Sequence, residues 1–286
     1  MAIEALRINA ARLVRTRLAA AITPTAANRV QAPDGRLEVL PGQGGIVMGI
    51  RLGDAALDWR GDHVEPGISL GHAEASANRA VQILSCVGNP VEVVDGAARG
   101  ARGMVYGKHG AVLAALPQEA LARTAPGDRV VIEASGAGLL IENRTELTCL
   151  SLSPALAARW LGGLDEEGRV IVPVAAELPA EAAAAGIGMP SQRFNMDLNS
   201  DQPPTMATCR RLGFADLVAI KDQDHRFGRC FRRGWVAVGV ISHGRTIAGG
   251  HGLGFMTLLT GPAERMRLVH VGEANVARLM GQWGTL

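Results

Sequence analysis

GMVYGK (103–108) and AVLAAL (111–116) follow VEVVDG (91–96) and precede DRVVIEA (128–134), GLLIEN (138–143) and LTCLSL (147–152). This series decides the fold class. Each run is short, apolar and rich in β-branched residues, and each is bounded by a turn containing Gly, Pro or Asp. Such spacing predicts consecutive short strands in a small barrel or sandwich. Before the series, a stripe of Ala73, Ala77, Ala80, Val81 and Leu84 at 3–4 spacing predicts a helix over 71–87, stopped by Gly88-Asn89-Pro90. After it the character changes. Ser153-Pro154 caps a short helix (ALAARWLG), RVIVPVA (169–175) reads as a strand and PAEAAAAG (179–186) as a second short helix. A strand at 216–220, a strand RLVHV (267–271) and a helix over about 273–280 complete the reading. The expected class is α+β, mostly β, with two domains of short strands, barrel- or sandwich-like, and a few short helices. The boundary falls at the end of the meander, giving domains 1–152 and 153–286.

Composition agrees. Across 286 residues, 48% are apolar but only 3% aromatic, so the core is aliphatic, and 36 Gly with 14 Pro favour many short elements joined by tight turns. A net charge of +2 excludes a broad electrostatic grip on nucleic acid. Cys86, Cys149, Cys209 and Cys230 are widely spaced, which argues against a zinc ribbon or a disulfide framework. No apolar run approaches the ~20 residues that span a bilayer. The Arg-rich RINAARLVRTRLAAAI (7–22) reads as mature sequence rather than a transit peptide, and a cytoplasmic location is expected.

The chemistry concentrates in IKDQDHRFGRCFRRGWVAVGVISHGRTIAGGHGLG (220–254), which places two Asp, three His and six Arg or Lys around one apolar strand. Polar loops at the ends of a rigid strand are where sites are built. Asp224, His225 and Arg226 are the expected catalytic group. Asp224 would orient His225 or bind a metal, and Arg226 would hold an anionic substrate. A second block, GDHVEPG (61–67), read as extended, puts His63 and Glu65 on one face and Asp62 on the other. His63, Glu65, Asp222 and His243 are the expected metal ligands. Imidazole and carboxylate suit a divalent zinc, manganese or iron ion. Arg229, Gly250, His251, Gly252 and Asp62 are the expected substrate-binding residues. The Gly249–Gly254 loop could also form an anion nest, with forked contacts from Arg226 and Arg229. The structural alternatives are solvated strand ends, a plain hairpin turn at LPGQGG (40–45), a hairpin tip at Lys108-His109-Gly110 and a buried, inert Cys230. The alternating Asn195, Asp197 and Asn199 read either as a polar lining or as the wet side of an edge strand.

Taken together and in order, LPGQGGIV, GDHVEPGIS, DQDHRFGR, WVAVGVISHG and GGHGLG resemble the bacterial and archaeal domain-of-unknown-function family DUF4438 over about residues 35–262. That resemblance implies an N-terminal and a C-terminal domain but no reaction. This chain departs from the pattern at Leu253, where Pro is expected. From the residues themselves, two classes of function are expected. One is a metal-assisted hydrolase or lyase acting on a small polar, anionic or amide-containing molecule. The other is a non-catalytic small-molecule or anion-binding or scaffold protein. A homo-oligomer is expected, with neither nucleic acid nor membrane as partner.

Overall fold

A computed structural model describes residues 4–26, 29–186, 188–282 and 284–286. The strands of the first half are β1 (Thr16–Ile22), β2 (Arg29–Gln31), β3 (Leu37–Val39), β4 (Ile46–Val47), β5 (Gly67–Gly71), β6 (Pro90–Val93), β7 (Arg102–His109), β8 (Ala111–Ala115), β9 (Arg129–Ala134) and β10 (Thr148–Cys149). Those of the second half are β11 (Val170–Val174), β12 (Ala176–Leu178), β13 (Met196–Leu198), β14 (Leu217–Asp224), β15 (Cys230–Ile241), β16 (Leu253–Pro262) and β17 (Met266–His270). The helices are short: α1 (Ala75–Leu84), α2 (Gln118–Leu121), α3 (Pro154–Trp160), α4 (Pro203–Cys209) and α5 (Val276–Leu279). Among the described residues no helix is long and apolar enough to cross a membrane.

In the first half the strands pair in the order β1-β9-β6-β7-β8-β5, and β5 returns to β1, so six antiparallel strands close into a barrel. Alternation explains its filling. Leu18 lies opposite Ile132 and Ile132 opposite Val91, while Ala20–Val130–Val93 form the next row inward. Ile22 meets Leu70 where the barrel closes. Full burial of each such Val, Leu or Ile side chain stabilises by about 1.5–3 kcal/mol, and closure removes exposed sheet edges. The β7–β8 hairpin is buried on both faces. Val105, Val112 and Ala114 point into the barrel, while Met104, Tyr106, Leu113 and Ala115 enter a second, larger core. Burial on both faces accounts for the near-continuous apolar run from which the strands were read.

The larger core is organised by a sheet of order β10-β16-β15-β14-β12, with β13 also pairing β16. Leu139, Ile141, Leu147 and Leu152 belong to it, and β10 pairs with β16, so this core takes residues from both sides of Ser153. Two sequence expectations fail here. GLLIEN is no strand: Leu139 and Ile141 are buried through a turn and a single bridge from Ile141 to Ile8. PAEAAAAG forms only a 3-10 turn at Ala180–Ala182, because Ala183 bridges Leu198 and the amide of Ala184 donates to the Asp197 carbonyl. Tertiary pairing outweighs the helix propensity of alanine.

Candidate functional site

The centre begins with a loop rather than the expected strand. Residues 62–66 are irregular, and His63 has φ +47°, a backbone position rare outside glycine. The left-handed turn brings Asp62 and His63 onto one side, contrary to the alternation expected of an extended chain. His63 Nδ1 lies 2.7 Å from Asp62 Oδ1. LPGQGG holds this loop from outside. The Asp62 amide donates to the Pro41 carbonyl at 2.9 Å and the Glu65 amide to the Gly42 carbonyl at 3.0 Å. A Cβ on Gly42 would sit 2.7 Å from the Asp62 carbonyl oxygen, so close backbone approach requires glycine there. From the other half, the Arg245 carbonyl accepts from the His63 amide at 3.2 Å, and the Gly244 amide donates to the Val64 carbonyl at 2.9 Å.

Four imidazoles meet at this junction. The His63 ring centroid is 4.9 Å from that of His109, 5.0 Å from that of His243 and 5.3 Å from that of His251, and His109 is 4.3 Å from His243. His109 ends β7, His243 follows β15 and His251 precedes β16. Gly254 makes room, since a Cβ there would occupy the His243 ring. Three of the rings are oriented through Nδ1: His63 to Asp62, His109 to Glu65 Oε1 at 2.6 Å and His243 to the Gly244 carbonyl at 2.7 Å. With Nδ1–H donated, the lone pair of His63 and of His243 falls on Nε2. Asp197, on β13, presents Oδ2 to His251 Nδ1 at 2.7 Å and Oδ1 to His243 Nε2 at 3.4 Å. Asn195 Nδ2 reaches both His243 Nε2 (2.5 Å) and Asp197 Oδ1 (3.2 Å). Only His251 opens outward, with 42% of its side chain exposed.

Electrostatics follow from this crowding. Burial alone would raise Asp197, but its contact with His243 and the nearby imidazoles of His63 and His251 outweigh it and hold the carboxyl down at about 2. Glu65 is likewise driven up by burial and brought below its ordinary value by His109, Ser69 Oγ and the Gly44 amide. Burial pulls His109 down, yet Glu65 more than compensates, so that imidazole holds its proton above the ordinary range. His243, fully buried and close to His109, stays neutral. Asp62 remains ionised beside His63 and Thr246, against the cost of burial.

The structure brings together Asp62, His63, Glu65, His243 and His251 of the residues singled out from the sequence, and it adds His109 and Asp197. Several expected roles change. Glu65 lies outside the group whose ligand atoms converge, and its oxygens accept from His109, Ser69 and Gly44. Asp222 sits at a bulge with φ +54° and accepts from the Gly234 amide at 2.7 Å. Asp224, His225 and Arg226 do not join the centre. Among the described residues no hydrogen bond, ion pair or ring contact links them to His63 or Glu65. Asp224 binds Arg226 (2.9 Å) and Arg232 (3.0 Å), whose guanidinium carbons stack 4.0 and 4.1 Å from the Trp235 centroid. His225 is buried on Thr257 Oγ1 at 2.7 Å, and burial with the nearby Arg229 charge pushes it down to about 3. Arg229 is itself buried and donates to the Gly186 and Phe194 carbonyls. The anion nest is spent as well: the Gly252 amide donates to Asp197 Oδ2 at 3.3 Å and the Gly254 amide to the His243 carbonyl at 3.0 Å. Gly250 is exposed, and its carbonyl accepts from the Ala185 amide. Cys230, read as buried, is exposed.

A closed six-stranded barrel joined to a second sheet through a shared core, with a histidine-rich centre assembled from both halves, defines a bipartite β-rich architecture. The chain belongs to the DUF4438 family. The family model described as "Domain of unknown function (DUF4438), N-terminal" matches residues 29–158, and its C-terminal counterpart matches residues 161–280. The two matches meet around the end of α3. The solved structure described as "Crystal structure of TM1086" is similar to this chain, with 33% identity and a TM-score of 0.90, over 96% of this chain and 99% of that one. No curated protein matches the chain.

Proposed function

We propose that the chain is a metal-dependent hydrolase or lyase acting on a small polar molecule, anionic or amide-containing, with a divalent ion held by His63, Asp197 and His251. One observation carries this reading: the three residues offer ligand atoms that all lie within 4.8 Å of one another. His63 Nε2, His251 Nδ1 and Asp197 Oδ2 are separated by 2.7, 3.4 and 3.9 Å. Donors about 2.1 Å from a shared ion in tetrahedral array stand roughly 3.4 Å apart, close to the mean of that triangle, about 3.3 Å. Asp62 behind His63 is the carboxylate–histidine arrangement that fixes a ligand's tautomer and strengthens its donation. Two nitrogens and one oxygen suit zinc, iron or manganese, and three protein ligands leave a position for water or substrate. Such an ion supplies a hydroxide nucleophile or polarises a carbonyl. His109, held protonated by Glu65 and beside His63, is the proton donor for a leaving group. His251, the half-exposed member, marks the side from which substrate enters.

Elemental analysis of protein purified without a histidine tag tests the reading. About one equivalent of a transition metal is expected, lost on His63→Ala substitution in a folded protein. Less than roughly a tenth of an equivalent, with no uptake when metal is added, removes it.

A further inference from the structure

Lys108 and Arg229 are, among the described residues, the only buried Lys or Arg, at 0% and 1% exposure. Neither forms an ion pair with a carboxylate among the described residues. Both instead hold main-chain carbonyls of one segment. Lys108 Nζ donates to the Gln192 carbonyl at 2.7 Å and to Ser151 Oγ at 2.9 Å. Arg229 Nη1 donates to the Gly186 carbonyl at 2.6 Å and Nη2 to that of Phe194. Lys108 comes from the barrel, one residue before His109, and Arg229 from the turn between β14 and β15, so the segment is gripped from two sides. It leads directly into Asn195 and Asp197, the two residues that reach His243 and His251. Taking a cation out of water costs several kcal/mol unless its contacts compensate, and an apolar side chain would fill either place without that cost. The expense falls where a short strand, β13, needs its approach fixed from both ends.

We propose that Lys108 and Arg229 are positioning residues that hold Asn195 and Asp197 in register with the histidines, so that Asp197 Oδ2 completes the ligand triangle. The role rests on the metal reading above. It does not make either cation a ligand or a contact of substrate; both act through the carbonyls they grip, and the Arg229 charge also favours ionised Asp197.

Co(II) is the probe, followed by its visible absorption and by competition with a chelator, on Lys108→Met, Arg229→Met and Arg229→Lys. Val93→Ala, a truncation in the barrel core far from the segment, is the control for lost stability alone. The Met variants are expected to bind Co(II) at least ~10-fold more weakly, in the range found for residues that orient metal ligands. Val93→Ala is expected to lower Tm and leave Co(II) affinity unchanged. Arg229→Lys, which keeps the charge but not both carbonyl contacts, should fall between wild type and Arg229→Met, and it decides the matter if the Met variants do not fold. Folded variants that bind Co(II) within ~2-fold of wild type, well inside that range, overturn the positioning role. A wild-type protein that takes up no Co(II) removes the metal reading itself, and this role with it. Wild-type uptake with unaffected variants removes the positioning role alone.

Discussion

Two polar regions of this molecule draw on the same residue types and end in opposite states. At the β14–β15 turn, Asp224, Arg226, Arg232 and Trp235 come from one short stretch and satisfy one another: the carboxylate takes both guanidinium groups, and both stack on the indole. At the junction of the halves, Asp62, His63, His109, Asp197, His243 and His251 come from five separate segments, and their pairing is incomplete. His63, His109 and His243 are tied back through Nδ1, which leaves Nε2 of His63 facing Asp197 and His251 with no good donor of its own. Polar density along a chain marks where charges can neutralise locally. Convergence of oriented but unsatisfied groups from distant segments marks where something else binds.

The largest effect that tests this contrast is at Asp197. Asp197→Asn keeps shape but removes a carboxylate that faces three imidazoles, and metal affinity measured by chelator competition should fall by at least ~100-fold, about 2.7 kcal/mol. An affinity within ~10-fold of wild type, about 1.4 kcal/mol, would place the ion elsewhere.

Next is Lys108, whose burial pulls it down to about 8 from 10.5. The folded protein therefore binds fewer protons than the unfolded chain between those values, so stability rises with pH across that window. Below about 8 the full burial cost is present; above 10.5 it is gone. Urea unfolding should show wild type gaining on the order of 3 kcal/mol relative to Lys108→Met between the two ends of the window. A flat difference would mean that Lys108 keeps its ordinary affinity for protons.

The smallest effect is expected at Asp224, the residue that sequence density favours most. Its partners Arg226 and Arg232 are 28% and 49% exposed. Asp224→Asn should cost under about 1 kcal/mol in thermal or urea unfolding and leave metal content unchanged. Loss of metal in that variant would reverse the comparison between the two regions.

Much of the fold was legible because it rests on local alternation. Strands β6 to β9 pair sequentially or nearly so, and their inward residues Val91, Val93, Val130 and Ile132 are readable as every second position. The Ala-rich stretch at 179–186 misled, because bridges to β13 decide its conformation and β13 lies more than ten residues downstream. At the centre, His63 and His243 were found as histidines beside turns, whereas His109 looked like a hairpin tip. Its hairpin is real, with Gly110 at φ +71°, but the ring turns inward toward Glu65, 44 residues earlier. Asp197 was visible only as one of three alternating polar residues, and nothing in that pattern says it faces His251. The GGHGLG spelling suggested free amides; Gly252 instead presses against the Leu198 carbonyl and donates its amide to Asp197, and Gly254 makes room for the His243 ring.

The strand β10 and the residues around it carry the last consequence. Because 139–152 pack with the second sheet while β1 and β5 to β9 close the barrel, the covalent halves and the folded halves do not coincide. The centre repeats this, with Asp62, His63 and His109 from one half and Asp197, His243 and His251 from the other. Neither half is thus a portable module. Exchanging one half for a foreign barrel or sheet would break a core and a centre at once.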